Sequence, residues 1–369
     1  MSKRKLTDQQ KVRIQGKQRD IVALYEKQGE ASGYRKAQVI AKTRSTAILT
    51  ADGNQQITAK IRQGIAPIAC GDYILWQDNI DTNDDTIASD TDSNNTSQHH
   101  KDKDKDKDKD KDKDKDKDKD KDKDSFTQDV AVVAILPRKT VLQRPTNHGP
   151  ARPFAANIDC IMIVMAHKPE PRPELLDRYL VIAEAANIRP ILVFNKCDLL
   201  ETSSNQLPEF LEPYIKLGYK TFATSAKQGL CLDELMDFIG EQCVVFAGQS
   251  GVGKSTLIQF AVPDQEIQTG QLSANMKGRH TTSTSILYSL ATGGKLIDTP
   301  GVRDIAVWHL DNATVDKGFI EFAPYLGLCK FSDCQHTHEP DCALKEAVLN
   351  NKIDPRRFAS YLTIRDADQ

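Results

Sequence analysis

The sequence predicts an α/β protein of three units: an N-terminal all-β barrel, a central parallel α/β domain and a C-terminal helical unit. Five short runs of strand character, separated by turn signals, predict the barrel, and an OB-fold suits that number of strands. From about residue 155, strands and helices alternate, as in a parallel sheet covered by helices. After about residue 304 the chain becomes helical and rich in His and Cys, which marks the third unit.

The barrel is predicted at residues 33–145, with a long insertion at about residues 78–128 before its last strand. The five runs are Gln38–Ala41, Thr46–Thr50, Gln56–Ile61, Asp72–Trp76 and Val130–Leu136. Within the insertion, residues 101–124 alternate Lys and Asp strictly, with 12 of each. A helix would set like charges four residues apart, and a strand would have no apolar face to bury. We therefore expect a solvated, disordered loop.

Residues 1–32 form a basic segment in a chain whose formal net charge is only −2. Its charged residues are Lys3, Arg4, Lys5, Lys11, Arg13, Lys17 and Arg19, against Asp8 and Asp20. We expect a mobile arm. Its charge suits a phosphate backbone, and a solvated tail without a partner remains an equal alternative.

The α/β domain is predicted at residues 150–303 and the C-terminal unit at residues 304–369. Its predicted strands are Ile158–Ala166, Pro190–Phe194, Lys220–Ala223, Val244–Ala247, Ser285–Leu290 and Lys295–Ile297. Helices are predicted at Leu175–Ala186, Phe210–Leu217 and Leu232–Ile239, and a further helix is predicted to begin at Lys254.

A phosphate-binding loop is predicted between a strand and a helix, where the motif G-x-x-x-x-G-K-[ST] matches in full. Glycines let backbone N–H groups close around a β-phosphate. Lys254 would neutralise β- and γ-phosphate oxygens, and the Ser255 hydroxyl would ligate Mg²⁺. The candidate phosphate-site residues are Gly248, Gln249, Ser250, Gly251, Val252, Gly253, Lys254, Ser255 and Thr256.

The base is predicted to be guanine. Asn195, Lys196, Cys197 and Asp198 form an N-K-x-D element at the end of a strand. Its Asp carboxylate would accept two hydrogen bonds from guanine N1–H and the 2-amino group, which adenine cannot supply. A second element comes after the next strand, in which Ser225, Ala226 and Lys227 match S-A-K, whose backbone N–H contacts guanine O6.

A fourth element, D-x-x-G, spans Asp298 to Gly301 after another strand; Asp298 would reach Mg²⁺ and the Gly301 N–H the γ-phosphate. The four elements stand in an unusual order, because both base-reading elements precede the phosphate loop. The predicted fold is therefore a circularly permuted P-loop GTPase, in which the chain leaves the nucleotide site directly after D-x-x-G. A γ-phosphate event could then move or order the C-terminal unit.

The catalytic group is predicted outside the D-x-x-G element, because Val302 comes after Gly301 where Ras-like proteins carry a water-orienting Gln. The stretch Gly278–Thr282 offers His280 as a catalytic candidate, and a binding role alone is the alternative. Thr281 or Thr282 could ligate Mg²⁺, and Thr282 is favoured.

A metal site is predicted from Cys329, Cys334, His336 and Cys342, with His338 as a possible substitute ligand. Three Cys and one His form a closed tetrahedral set for one structural zinc, and free buried thiols are the alternative. The other five of the eight Cys are scattered, which favours a reducing compartment over a disulfide framework. No apolar run approaches the length of a membrane span, so we expect a cytoplasmic protein without a membrane partner.

These features together resemble the ribosome small-subunit-dependent GTPase A family (RsgA, also called YjeQ). The resemblance covers most of the chain and includes the basic arm, the barrel, Pro137-Arg138-Lys139, Leu142-x-Arg144-Pro145, the permuted motifs, Gly278–Thr282 and the Cys/His set. It implies an OB-fold, a permuted GTPase domain and a zinc domain, in a protein that binds the small ribosomal subunit and its rRNA late in maturation. The Lys-Asp insertion departs from the family pattern.

The favoured function is a monomeric GTPase, using GTP with Mg²⁺ to dock on the subunit and hydrolysis to GDP to leave it. A nucleotide-gated RNA-binding scaffold with negligible turnover is the alternative, which Val302 supports. A P-loop kinase acting on a small molecule is a third possibility, against which the guanine-reading element Asn195–Asp198 argues.

Overall fold

The computed structural model describes residues 7–43, 45–51, 55–78, 130–144, 146, 150–200, 207–263, 285–299 and 310–367. The predicted insertion lies almost wholly outside these residues, as do Gly278–Thr282, Gly301 and Val302. Within them, the barrel, the α/β sheet and the helical C-terminal unit are all present.

The first unit is a closed five-stranded barrel with the strand order β1-β2-β3-β5-β4. Its strands are β1 (Arg35–Lys42), β2 (Thr46–Thr50), β3 (Gln56–Ile61), β4 (Tyr73–Asp78) and β5 (Val130–Ile135). The pair β3–β5 is parallel, and the other pairs are antiparallel. Alternate side chains such as Val39, Leu49 and Ile74 fill the interior, as the period-2 pattern of the sequence requires.

The expectation of a mobile N-terminal arm is wrong for most of that segment, since residues Asp8–Gln28 form a helix, α1. Thr7 and Gln10 form a reciprocal capping box, which satisfies free backbone N–H groups of the first turn. Near its end, Ile21, Val22 and Tyr25 pack against an apolar patch on the outside of β4 and β5. The helix is therefore part of the barrel unit.

A short hairpin that the sequence analysis did not predict comes after the barrel. It consists of β6 (Val141–Arg144) and β7 (Arg152–Ala156). A backbone bridge pairs Ala155 of β7 with Cys70 in the turn before β4, so the hairpin joins the barrel to the chain that enters the sheet.

The central domain is a six-stranded sheet with the order β10-β9-β8-β11-β13-β12, parallel except for β12. Its strands are β8 (Cys160–Ala166), β9 (Arg189–Asn195), β10 (Thr221–Ala223), β11 (Cys243–Ala247), β12 (Ile286–Ser289) and β13 (Lys295–Asp298). Every residue of β8 and β11 is buried, as expected for central strands covered on both faces. The helices of this domain are α2 (Pro173–Ala185), α3 (Glu212–Lys216), α4 (Leu232–Ile239) and α5 (Lys254–Ala261).

One apolar core runs from the barrel into the sheet. Ile40, Ile48 and Cys70 of the barrel unit belong to the same buried cluster as Ile161 and Ile297 of the sheet. The barrel unit and the α/β domain therefore share a packed apolar core in addition to the covalent connection between them.

The C-terminal unit packs on α2 through α6 (Asn312–Gly318) and α8 (Pro355–Ala367), with α7 (Ala343–Leu349) between them in sequence. Arg357 of α8 is buried and donates to Asp177 of α2 and to Glu321, with a 2.6 Å contact to Glu321 Oε1. Burial raises the pKa of Asp177 to about 6, even though Arg357 favours its charged form. A pair this deeply buried contributes little net stability to the interface, but removing one partner leaves the other charge buried and unpaired, which is strongly destabilising.

No helix among the described residues is long and apolar enough to cross a membrane.

The junction between α6 and α2 yields a stability prediction. A Cβ at Gly318 would lie 2.6 Å from Val181 Cγ1 and 2.8 Å from Val181 Cα. Gly318→Ala must push the C-terminal unit away from α2, and overpacking of this kind costs about 1–3 kcal/mol of unfolding free energy. Urea denaturation checks this. The control is Gly16→Ala in α1, where nothing lies within 4 Å and a gain of about 0.5–1 kcal/mol is expected. Equal stability of Gly318→Ala and wild type would contradict the packing argument.

Candidate functional site

The motif residues gather at one edge of the sheet, because the carboxyl ends of its parallel strands share that edge. Asn195 ends β9, and Ser225 lies two residues after β10. Gly248 comes directly after β11, and Asp298 ends β13. The permuted order of the motifs therefore does not separate them in space.

The phosphate loop depends on three glycines with left-handed backbone, Gly248 (φ 130°), Gly251 (φ 82°) and Gly253 (φ 100°). A Cβ on Gly248 would lie 2.1 Å from Val164 O, and one on Gly253 would lie 2.2 Å from Asn195 Nδ2. Both positions thus require glycine for space as well as for conformation.

Lys254 begins α5 and is buried inside this loop. Its Nζ donates to the carbonyls of Gly248 and Gln249, at 2.6 Å each. The loop is therefore folded around a positive charge at the N-terminus of a helix, which is the arrangement that suits a phosphate group.

Asn195 links the predicted base-reading loops to the phosphate loop. Its side chain is 1% exposed, and its Nδ2 donates to Val252 O at 2.9 Å. Its Oδ1 accepts from the backbone N–H of Ala226 at 3.0 Å and from the Thr224 hydroxyl at 3.3 Å. One carboxamide thus fixes the spacing between two loops that are remote in sequence.

Lys196, which has a left-handed backbone (φ 63°), forms a second link to the phosphate loop. Its Nζ donates to Gly251 O at 2.6 Å and to Lys168 O at 2.8 Å. Lys168 precedes a cis-proline, Pro169, in the segment between β8 and α2. The sequence analysis did not predict any contact of this segment with the phosphate loop.

Asp198 lies between these loops and is held by the Ser225 hydroxyl, which donates to Asp198 Oδ1 at 2.5 Å. Ser225 is itself fixed by backbone hydrogen bonds in both directions with Leu230. The predicted base-reading carboxylate and S-A-K element therefore meet, although Asp198 and Ser225 are 27 positions apart.

The predicted Mg²⁺ ligands are only partly described. Ser255 is exposed in the first turn of α5, and Asp298 is half-buried at the end of β13. Both side chains offer the oxygen donors that Mg²⁺ prefers. Thr282, Gly301 and His280 lie outside the described residues, so their assignments stay predictions.

A second site lies in the C-terminal unit, where Cys329, Cys334, His336 and Cys342 place their ligand atoms within 4.8 Å of one another. His336 Nδ1 lies 3.5, 3.5 and 3.4 Å from the sulfurs of Cys329, Cys334 and Cys342. Burial and the neighbouring thiols raise the pKa of Cys334 to about 12. The donor set and its convergence fit a tetrahedral metal ion bound through Nδ1.

The cluster is supported from α8. Arg365 donates to Gln335 Oε1 at 2.8 Å, next to His336, and to Asp316 at 3.2 Å. Tyr361 donates to the same Asp316 oxygen at 2.8 Å, and its ring lies 6.2 Å from that of His336. The sequence does not predict these supports, because the helical pattern of α8 does not reveal which side chains reach the cluster.

Residues 135–308 match the model of the RsgA GTPase family. A Chromohalobacter salexigens protein named small ribosomal subunit biogenesis GTPase RsgA is 50% identical over 236 residues, which cover 64% of this chain and 69% of that protein. A Hahella chejuensis protein of the same name is 44% identical over 240 residues, covering 64% and 69%.

Two solved structures show the same fold. YjeQ from Thermotoga maritima matches with a TM-score of 0.61 at 24% identity, covering 91% of this chain and 98% of that one. YloQ, described as a circularly permuted GTPase, matches with a TM-score of 0.60 at 22% identity, covering 91% and 95%. The predicted fold class is thus confirmed. Since the Chromohalobacter relative is 50% identical and more than two thirds of its length is covered, this chain belongs to the RsgA GTPase family.

Proposed function

We propose that this protein binds the small ribosomal subunit, assists its late maturation and hydrolyses GTP to GDP and phosphate in order to leave it. The observation that carries the proposal is the joining of a guanine-type element to a phosphate loop by the Asn195 carboxamide. The relatives named small ribosomal subunit biogenesis GTPase supply the partner. We also propose that the protein is cytoplasmic and monomeric.

The nucleotide is proposed to span the edge of the sheet. Asp198 would accept hydrogen bonds from guanine, with Ser225 holding the carboxylate in place. The backbone N–H groups of residues 249–255 and the Lys254 ammonium would surround the phosphates. On binding, a β-phosphate oxygen would replace the loop carbonyls as the partner of Lys254, since an anion is the better acceptor.

Mg²⁺ is proposed to be held by Ser255, Asp298 and Thr282, and it would neutralise charge on the β- and γ-phosphates. Zinc is proposed to be the metal of the Cys329–Cys342 cluster. Four protein ligands leave no open position on the ion, so its role would be to stabilise the C-terminal unit.

The proposed domain bounds are residues 1–32 and 33–145 for the arm and barrel, 150–303 for the GTPase domain and 304–369 for the zinc domain. The barrel unit, with α1, and the zinc domain would contact rRNA. Exposed Lys11, Arg13 and Lys17 on α1 provide the charge for phosphate contacts.

A nucleotide-gated scaffold with negligible turnover is the second candidate, and the observation in its favour is Val302, which cannot orient water. Turnover with and without small subunits separates the two functions.

Asp198→Asn tests base recognition. An amide cannot accept both guanine donors, so GTP affinity should fall about a hundredfold, since each lost charge-assisted bond costs about 1.5–3 kcal/mol. The Asn amide can instead donate to the C2 carbonyl of xanthine, so xanthosine triphosphate should become the preferred ligand. Competition binding with both nucleotides measures this, with Asp237→Asn on α4 as the matched control. A variant that still prefers GTP would refute the assignment of Asp198.

Cys334→Ser tests the zinc cluster. Wild-type protein should contain about one zinc per chain, and loss of one thiolate should abolish zinc binding. The C-terminal unit should then unfold locally and subunit binding should weaken, while GTP binding remains. Metal analysis and co-sedimentation with small subunits measure these effects. Cys231→Ser, outside the cluster and half-buried, is the control. Zinc-free wild-type protein, purified without chelators, would rule the site out.

His280→Ala tests the proposed catalytic group. Hydrolysis should be slow for the protein alone and faster with small subunits, because positioning supplies most of phosphoryl-transfer catalysis. The variant should keep GTP affinity and subunit binding but lose most of the stimulated rate. Large subunits serve as the control for non-specific stimulation. Full stimulation of the variant would exclude His280, and no stimulation of wild type would favour the scaffold.

A further inference from the structure

A direct contact joins the barrel to the strand that carries Asp298. Lys295, the first residue of β13, donates from Nζ to Gln38 Oε1 of β1 at 2.5 Å, and its Nζ lies 3.5 Å from the Tyr73 hydroxyl. Gln38 is only 4% exposed, and its Nε2 donates to Gly71 O at 3.2 Å. The Lys295 ammonium is therefore held by buried Gln38 and half-buried Tyr73 of the barrel, at the start of the strand that Asp298 ends.

A second contact lies further along the same strand. A Cβ on Gly71 would lie 3.0 Å from Ile297 Cδ1 and 2.3 Å from Ala156 O. Gly71 has left-handed backbone (φ 86°), so its glycine meets both a conformational and a steric requirement. The barrel turn thus touches β13 one residue before Asp298.

This barrel turn is itself rigid. Asp72 is fully buried, accepts from the Ala69 N–H at 2.6 Å and forms an ion pair with Arg138 at 2.7 Å. Asn157 Nδ2 donates to Gly71 O at 3.0 Å, and the Ala156 N–H donates to Cys70 O at 2.9 Å. A movement of the turn would break several of these contacts at once, so it can serve as a fixed support.

The strand that the turn contacts is hydrogen-bonded to a neighbouring strand on each side. The strand β13 has four residues, and it lies between β11 and β12, which is itself a four-residue edge strand. Side chains alternate along β13, so Lys295 and Ile297 face the barrel while Leu296 packs on the opposite face of the sheet. The two ladders hold β13 within the plane of the sheet, and the barrel contacts of Lys295 and Ile297 support one face of it.

We propose that the barrel is a structural part of the nucleotide site and that Lys295, anchored on Gln38, is a positioning residue for Asp298. The barrel sets the position of β13, and β13 sets the distance between the Asp298 carboxylate and the Ser255 hydroxyl. The affinity for Mg²⁺ depends on that distance. This inference rests on the proposed Mg²⁺ role of Asp298. Groups that hydrogen-bond a metal ligand directly typically change metal affinity by about 10–100-fold when they are removed, and Lys295 acts through the strand, so we expect an effect at the lower end of that range.

The experiment measures binding of fluorescent GDP by the full-length protein over a range of Mg²⁺ concentrations and in EDTA. Lys295→Met removes the ammonium but keeps an apolar stem. Gln38→Met removes its acceptor from the barrel side without changing the GTPase domain, and Asn157 still donates to Gly71 O. Each variant should raise the half-saturating Mg²⁺ concentration about tenfold and leave GDP affinity in EDTA unchanged. The double variant should equal the single ones, because both remove one shared contact.

Lys220→Met is the matched control. Lys220 is exposed directly before β10, on the opposite edge of the same sheet, and its Nζ lies over the Phe222 ring. It should leave Mg²⁺ dependence as in wild type. Unchanged Mg²⁺ dependence in Gln38→Met would overturn the inference, as would an equal loss of GDP affinity with and without Mg²⁺, which signals general destabilisation. Gln38→Met decides the matter if Lys295→Met does not fold.

The assay needs no ribosome, so it separates this inference from the proposed function. If the variants show normal Mg²⁺ dependence while small subunits still stimulate turnover of the wild type, the inference is wrong and the proposed function stands. A wild-type protein whose GDP affinity ignores Mg²⁺ would refute the role of Asp298, and the inference with it.

Discussion

The buried carboxamide of Asn195 is the interaction on which the site depends. It donates to the phosphate loop at Val252 O and accepts from the S-A-K loop at the Ala226 N–H. An Asn side chain has both a donor and an acceptor, so one residue can join two loops without leaving a buried group unpaired. Its position at the end of β9, between β8 and β10, places it within reach of both.

This arrangement explains how a permuted chain can keep an ordinary nucleotide site. Strand order along the chain differs from strand order across the sheet, and only the latter decides which loops meet. The permutation changes which segment of the chain comes after each strand. Here the residues after β13 lead into a unit whose helices α6 and α8 pack back on α2 of the same domain. A buried ion pair, Arg357 with Asp177, lies at that contact.

Much of the fold could be predicted where a local pattern determines the local structure. The strands Thr46–Thr50 and Gln56–Ile61 and the helix Leu232–Ile239 have the bounds that alternation, turn residues and amphipathic spacing indicate. The expectation of a mobile arm rests on charge alone and neglects Thr7 and Gln10, a capping pair that predicts a helix. The hairpin β6–β7 escapes prediction because its short strands are stabilised by pairing with each other and with the turn at Cys70.

For the site, motif spacing predicts which residues take part but not the bonds between them. The contact of Lys295 with Gln38 spans 257 positions, and nothing in either local sequence indicates it. The same holds for Lys196 with Lys168 O, since a backbone acceptor carries no residue-type signal.

The apolar core shared by the barrel and the sheet affects how the molecule unfolds. A fragment starting near residue 150 would leave the side chains of Ile161 and Ile297 without Ile40, Ile48 and Cys70 against them. Water would reach the face of the sheet that the barrel covers, and an apolar face of that kind promotes association between fragments. The barrel and sheet should accordingly melt in a single calorimetric transition.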